Sequence, residues 1–457
     1  MTAEGPRPNH KSRRIWFCQT EYVARHPESL QRLKDAVGLT TIMPESPVCH
    51  TSGFSLSEEL ARRGPFEDWR RRLDAWPRGA EGVYPPVAGI VSGFDDAPLQ
   101  RVIEACKSAG IELWGHIGLW SYGGDVYPEL ALRDLEGRPL DRRYQQWGIG
   151  LCPSREEVND WTRDCLVEAV RRYAVDGFDV DHARYPAPAS VHSLTACGCP
   201  ACQDEAARLG YDFAAMRRGV LALRRRLGRL TPSDVRALAA GHPGFMDFLG
   251  LLAQDGAILD WVRFRAHILA ERMAEFRGAV QQAGGRDKLF GSDVFPPSTA
   301  LLGGHWYNKW EEATDFLTGG SSHGGVVGWA TGVTNLAREW TAALCRNGQG
   351  LDEREVLALL WRMFGVEDLD LPETAATVAA GPLPIAALYE REVARLKAQT
   401  SGAVPLYPPL SAGAAPQLVR SLGEAVARHG CDGCLFTVNA EDAGQVRVLG
   451  GALAGVG

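Results

Sequence analysis

The 457-residue chain has no apolar run approaching the ~18 residues that a membrane-spanning helix requires. Basic residues open it, but Ile15-Trp16-Phe17 is too short for the apolar centre of an export signal, so we expect a soluble, cytoplasmic protein with no membrane partner. Positive charge is not in excess. With 49 Lys and Arg against 56 Asp and Glu the net charge is −7, which argues against a nucleic acid held on a basic patch. A disulfide framework is missing as well: the 11 cysteines are odd in number, and most stand singly in apolar patterns, as buried reduced thiols do. No Gly-rich phosphate loop follows the first apolar run. Cys18-Gln-Thr-Glu-Tyr22 stands there instead, which argues against an open, doubly wound dinucleotide-binding sheet. We find no internal repeat and no disordered linker.

What the chain does have is a rhythm of helical pattern, Gly, short apolar strand and polar loop. Strands are expected at Arg14–Cys18, Leu39–Met43, Ile111–Ile117, Asp176–His182, Lys288–Val294, Thr314–Thr318, Val404–Tyr407 and Cys431–Val438. The second is expected to break at Pro44. Helical patterns separate them, for example from Pro27 to Val37 with Gly38 as its stop, and up to Tyr173 from a capping box of Ser154 and Glu157. Eight strands alternating with helices predict an α/β fold, a (β/α)8 barrel over residues 13–457. Long βα-loop insertions follow strands 2, 3 and 4. The third of these, 187–259, reads as an inserted helical, Cys-rich subdomain with Arg-rich helices. In a barrel all three fall at the C-terminal face, where βα loops build active sites.

The stretch Asp176-Gly-Phe-Asp-Val-Asp-His-Ala-Arg-Tyr-Pro186 holds too many acids for an ordinary buried strand. Residues 177, 179 and 181 share one strand face and 178 and 180 the other. Phe178 and Val180 then face the helices, while Asp179 and Asp181 face into the barrel, with Asp181 nearer the mouth. Asp176 belongs to the preceding turn. Such acids form either a structural ion pair, for instance with Arg184, or an active site.

This stretch resembles the fourth-strand signature of the bacterial family 10 glycosyl hydrolase-like TIM barrels, Asp-Gly-hydrophobic-x-hydrophobic-Asp-x-x-Arg-Tyr-Pro. Leu151-Cys-Pro-Ser-Arg-Glu-Glu-Val and Phe290-Gly-Ser-Asp-Val-Phe-Pro-Pro-Ser are similar to that group too. Some of its members cleave the glycan strands of peptidoglycan. The resemblance therefore implies a glycoside hydrolase with a carbohydrate substrate. The stretch is also similar to the chitinase motif Asp-x-x-Asp-x-Asp-x-Glu, but Ala183 stands at the Glu position and that mechanism has lost its acid.

Glycoside hydrolysis needs two carboxyl groups across the scissile bond. Asp181 supplies one. Asp293, at the mouth end of the fifth strand, is the expected partner; its plainer role would be to cap the turn before Pro296. Glu45 after the second strand is the fallback. Asp179 is expected to orient Asp181 or to bind substrate. His116 ends the third strand next to Trp114 and Trp120 and can bind sugar hydroxyls; Trp120, Tyr185, Trp306, His323 and Asn439 are further substrate-binding candidates, Arg184 could hold Asp181 ionised or bind an anionic substrate, and Asn439 could equally cap a helix. Two other readings stay open. One is a barrel that binds carbohydrate without cleaving it, favoured by the absence of a Glu on the fourth strand. The other is a metal-dependent hydrolase using His116, Asp181 and His323, disfavoured because no His-x-His pair ends a strand.

Cys197-Gly-Cys199-Pro-Ala-Cys202 stands apart. Three close thiols with a Gly and a Pro to turn the backbone suit a tetrahedral structural Zn2+ site, with His192 or a distant Cys or Asp as fourth ligand.

Overall fold

The computed structural model of the chain describes residues 11–46, 52–66, 91–120, 123–141, 149–186, 195–240, 256–319, 337–346, 350–380 and 382–456. His192 and His323 lie outside these. The principal sheet is wholly parallel. Its strands are β1 (Arg13–Gln19), β2 (Thr41–Glu45), β3 (Glu112–Gly118), β4 (Gly177–Asp181), β5 (Leu289–Val294), β6 (Leu317–Gly319), β7 in two halves (Leu406–Tyr407 and Pro409–Ser411) and β8 (Gly433–Thr437). Each pairs with its neighbours in chain order, and β8 pairs with β1. The seventh strand completes the ring. On one side Leu317 donates its amide to the Pro405 carbonyl at 3.0 Å; on the other Leu435 donates to the Pro408 carbonyl at 3.1 Å. This is the expected (β/α)8 barrel.

The helices between strands bury one apolar stripe each. Leu30, Leu33 and Val37 form that stripe on the helix Glu28–Val37, and Gly38 ends it in left-handed backbone at φ 68°. The helix Glu156–Arg172 buries Val158, Trp161, Cys165 and Ala169. Its capping box does not form: Arg155 is the N-cap, and the Ser154 hydroxyl lies 3.3 Å from the Cys202 sulfur. The insertion after β4 contains helices Pro200–Arg208, Phe213–Leu227 and Pro232–Ala240, followed by the long helix Gly256–Gly284.

Two strands differ from expectation. β2 runs through Pro44 to Glu45. The ladder to β3 ends at Ile42–Leu113, so the missing amide of Pro44 breaks no bond there. Beyond that point the Ser52 hydroxyl stands between the strands. It donates to the Pro44 carbonyl at 2.9 Å and accepts from the His116 amide at 2.7 Å. β6 starts at Leu317 because Thr314 ends the preceding helix, its hydroxyl donating back to the Trp310 carbonyl at 2.7 Å.

The barrel interior is layered. At the N-terminal pole Arg13 pairs with Glu112 at 2.7 Å and donates to the Tyr407 hydroxyl at 3.1 Å. Above them Ile15, Met43, Trp114, Leu289, Phe316, Tyr407 and Leu435 make an apolar plug. Trp114 stacks on Phe316 with ring centres 4.0 Å apart. Gly291 leaves room for that stack, since a Cβ there would stand 2.3 Å from the Phe316 ring. Polar inward residues are left for the C-terminal mouth. We predict that Gly291→Ala loses about 1–3 kcal/mol by overpacking this layer, read as a lower urea midpoint. An unchanged midpoint would contradict the packing described.

Candidate active site

Strand register sets the site. β3 and β4 pair His116 with Asp179 and Gly118 with Asp181. β4 and β5 pair Asp179 with Gly291 and Val180 with Ser292, so the next step of that register brings Asp181 beside Asp293. β5 and β6 pair Asp293 with Thr318. All of these inward residues share the period of the apolar plug below them. His116, Asp179, Asp181, Asp293 and Thr318 are buried.

Burying these acids is costly unless each is paired or hydrogen-bonded. The Thr318 hydroxyl donates to Asp179 Oδ1 at 2.8 Å. His116 lies between the two β4 acids, with Nδ1 3.5 Å from Asp179 Oδ2 and Nε2 3.9 Å from Asp181 Oδ2. These are ion-pair separations rather than hydrogen bonds. The Ser52 hydroxyl holds the backbone of His116, and Phe17 meets its ring edge-on at 5.1 Å.

Asp181 is held by its neighbour. His182 donates its backbone amide to Asp181 Oδ1 at 2.7 Å and sets its ring Nε2 3.0 Å from Oδ2. Arg184 Nη2 lies 3.0 Å from His182 Nδ1. A guanidinium can only donate, so Nδ1 is the acceptor and Nε2 carries the proton given to Asp181. The relay Arg184–His182–Asp181 thus aims two N–H donors at the carboxylate, an arrangement that suits its ionised form. His182 reaches this pose with φ 59°, left-handed backbone that a non-Gly residue rarely adopts.

His305 anchors the next turn. Its Nδ1 accepts from the Phe295 amide at 2.8 Å, so its Nε2 donates to the Ala183 carbonyl at 3.0 Å. Burial pushes its pKa down to about 3, against the upward pull of the Ala183 carbonyl. The Arg184 guanidinium lies 5.0 Å from the centre of the Phe295 ring.

Other residues singled out from sequence fall in different places. Glu45 ends β2, buried and in register with Gln19. Trp306 is half-buried beside the helix Tyr307–Ala313. Trp120 is in the core, 1% exposed, and donates its Nε1–H to Asn159 at 2.9 Å. Tyr185 is fully buried with its ring under Arg265 at 4.5 Å, away from solvent. Asn439 is exposed beyond β8; Asp442, not Asn439, caps the last helix by accepting from Gly444 and Gln445. Asn439 lines a cleft of about 490 Å³ with Phe17, Gln19, Ser411 and Thr437, and among the described residues that line it none is charged. Phe17 joins this cleft to His116.

The cysteine cluster is a separate centre. Cys152, Cys197, Cys199 and Cys202 are buried, and their sulfurs all lie within 4.8 Å of one another. The fourth member is Cys152, from the loop after β3. Cys152 stands 3.4 Å from Cys202 and 3.5 Å from Cys199. Those distances are far beyond a disulfide bond and near the roughly 3.8 Å edge of a tetrahedral Zn–S4 group. The Arg133 amide donates to Cys197 at 3.3 Å. Burial pushes the Cys152 and Cys202 thiols up, while hydrogen bonds from Cys152, then Cys197 and Cys202, pull Cys199 well down. The cluster could hold a metal ion, and it would tie the loops after β3 and β4 together.

No family model matches the chain, and no curated protein sequence matches it. Its structural neighbours include glycoside hydrolases. The glycoside hydrolase domain of PgaB (BpsB) from Bordetella bronchiseptica is 12% identical over 92% of this chain and 98% of that one, with a TM-score of 0.43. The β-amylase catalytic domain from Paenibacillus polymyxa is 11% identical over 96% and 95%, with a TM-score of 0.46. The β-galactosidase from Halorubrum lacusprofundi is 12% identical over 96% and 57%, with a TM-score of 0.48. These are distant likenesses of form; the barrel assignment rests on the strand order above.

The His305 environment sets a pH dependence. An unfolded His titrates near 6.5, above the folded value of about 3. His305 therefore contributes its full stability above about pH 6.5 and loses it progressively as pH falls towards 3. The urea midpoint should fall between pH 7 and pH 5 more steeply in the natural protein than in His305→Gln. Equal slopes would contradict a neutral, buried His305.

Proposed function

We propose that the protein is a glycoside hydrolase acting on an uncharged saccharide, with Asp181 and Asp293 as its two carboxyl groups. The observation that carries this is the held, buried Asp181 at the mouth of β4, beside Asp293 in register on β5. Asp181 is the nucleophile: the Arg184–His182 relay suits its carboxylate form. Asp293 is the acid: it gives its proton to the glycosidic oxygen as the bond to the anomeric carbon breaks and Asp181 bonds that carbon. Water then attacks the same carbon, returning a proton to Asp293 and releasing Asp181. With Asp181 as nucleophile the reaction retains configuration at the anomeric carbon. His116, with Asp179 and Ser52 behind it, positions hydroxyls of the reacting sugar. The uncharged cleft at Phe17, Gln19 and Asn439 takes a neighbouring unit, with Phe17 as its apolar wall.

The four-cysteine group is read as a structural Zn2+ site that keeps the βα loops around this mouth in place. All four residues offer thiolates, the donor set of closed zinc centres. Metal analysis of mildly purified protein should find one zinc per chain, and Cys152→Ser should lose it.

A panel of chromogenic glycosides and neutral oligosaccharides tests the activity. Asp181→Asn and Asp293→Asn should each lower turnover by about 10²–10⁴-fold with unchanged circular dichroism. Undiminished turnover in Asp181→Asn would falsify the assignment. Sugar binding without turnover in the natural protein would instead favour a carbohydrate-binding barrel.

A further inference from the structure

The ladder between β4 and β5 loses a rung at the mouth. Near its start Leu289 donates its amide to the Asp176 carbonyl at 3.1 Å. Stepping two residues at a time up this parallel register puts a rung from the Phe295 amide to the His182 carbonyl. The left-handed backbone of His182 turns that carbonyl to the Arg184 amide instead, at 2.8 Å. His305 takes up the loose end. Its Nδ1 accepts from the Phe295 amide at 2.8 Å, and its Nε2 donates to the Ala183 carbonyl at 3.0 Å. One imidazole therefore stands between the two strand ends where a direct bond would otherwise join them. Phe295 follows Asp293 by two residues, and Ala183 follows Asp181 by two.

The ring is itself held in place. His305 is buried, its amide donates to the Ala300 carbonyl at 2.9 Å, and Trp310 meets it edge-on at 5.0 Å. The same junction is braced twice more. The Tyr307 hydroxyl donates to the Phe295 carbonyl, and Arg184, which reaches His182, also lies against the Phe295 ring. One acceptor and one donor on a rigid ring is what a neutral imidazole offers, and it holds the strand ends at a fixed gap wider than a direct N–H···O bond allows. We propose that His305 is a spacer that sets the separation of Asp181 and Asp293, and that by replacing the lost rung it lets His182 turn onto Asp181. The proposal rests on the hydrolase reading above and makes His305 a positioning residue for it. Bond cleavage needs Asp181 at the anomeric carbon and Asp293 at the glycosidic oxygen in the same moment, so the gap between them matters more than the pose of either.

The test is kcat/KM, which reads the bond-breaking step, on paired dinitrophenyl and methyl glycosides of each sugar in the panel above. Dinitrophenolate leaves without a proton and needs Asp181 alone, whereas methanol must take its proton from Asp293. His305→Phe should lose about 30-fold or more on the methyl glycoside and less than about threefold on the dinitrophenyl one. His305→Gln, whose amide carries both an acceptor and a donor, should recover the methyl glycoside to within about fivefold of the natural protein. His305→Asn keeps both groups but is too short to span the gap; it should behave as His305→Phe, and it serves where that variant does not fold. Equal loss on the two glycosides, or no loss on either, would overturn the spacer and leave the hydrolase reading standing. Crystal structures read the spacer without activity: in His305→Asn the separation of the Asp181 and Asp293 carboxyl groups should change by about 1 Å, enough to disable their joint action. An unchanged separation would overturn the spacer. A natural protein that turns over none of the glycosides would overturn the hydrolase reading, and with it this role for His305.

Discussion

A closed parallel barrel admits only every second residue of each strand to its interior, and the rest of this structure depends on that constraint. The sequence spends its inward positions in layers. An ion pair of Arg13 and Glu112 closes the N-terminal pole, and seven large apolar residues plug the middle. The inward positions that remain lie at the C-terminal ends of the strands, where His116, Asp179, Asp181, Asp293 and Thr318 face one another. Gly291 shows how tightly the layers interlock: it lies one step below Asp293 on the inward face, and its missing side chain makes space for Phe316.

A buried group of acids survives only if its charge is answered. Asp179 is answered from neighbouring strands, by Thr318 and His116, and Asp181 mainly from the loops. His182 and Arg184 hold Asp181 from the residues just beyond it, and His305 fixes the carbonyl of Ala183 between them. Ser52 replaces a missing ladder bond between β2 and β3 and so sets the backbone of His116. The four cysteines join the loops after β3 and β4 farther out. The barrel positions the carboxyl groups, and the loop beyond β4 sets the orientation of Asp181.

Much of this was legible in the sequence because it is local. Alternation within Gly177–Asp181 is enough to point Asp179 and Asp181 inward, and the helix–Gly–strand rhythm is enough to suggest eight strands. What was not legible depends on contacts between distant segments. Cys152 precedes Cys197 by 45 residues, and only the folded loops bring it to the other three thiols. The same contact takes the hydroxyl of Ser154 away from the expected helix cap. Ser52 carries no motif, and its role follows from Pro44 lying in a strand. His182 stood inside the quoted motif, but the left-handed backbone that turns its ring onto Asp181 has no marker in a non-Gly residue. Trp120 and Tyr185 look like sugar-stacking residues by type and position, yet packing against the helices takes both into the core.

The central claim is that Asp181 and Asp293 flank a glycosidic bond at the barrel mouth. A crystal structure of Asp181→Asn soaked with a neutral oligosaccharide tests it most directly. The account predicts a scissile linkage lying between residues 181 and 293, with the adjoining sugar against Phe17 and Asn439. A sugar bound away from both side chains, or a mouth that excludes it, would contradict the account.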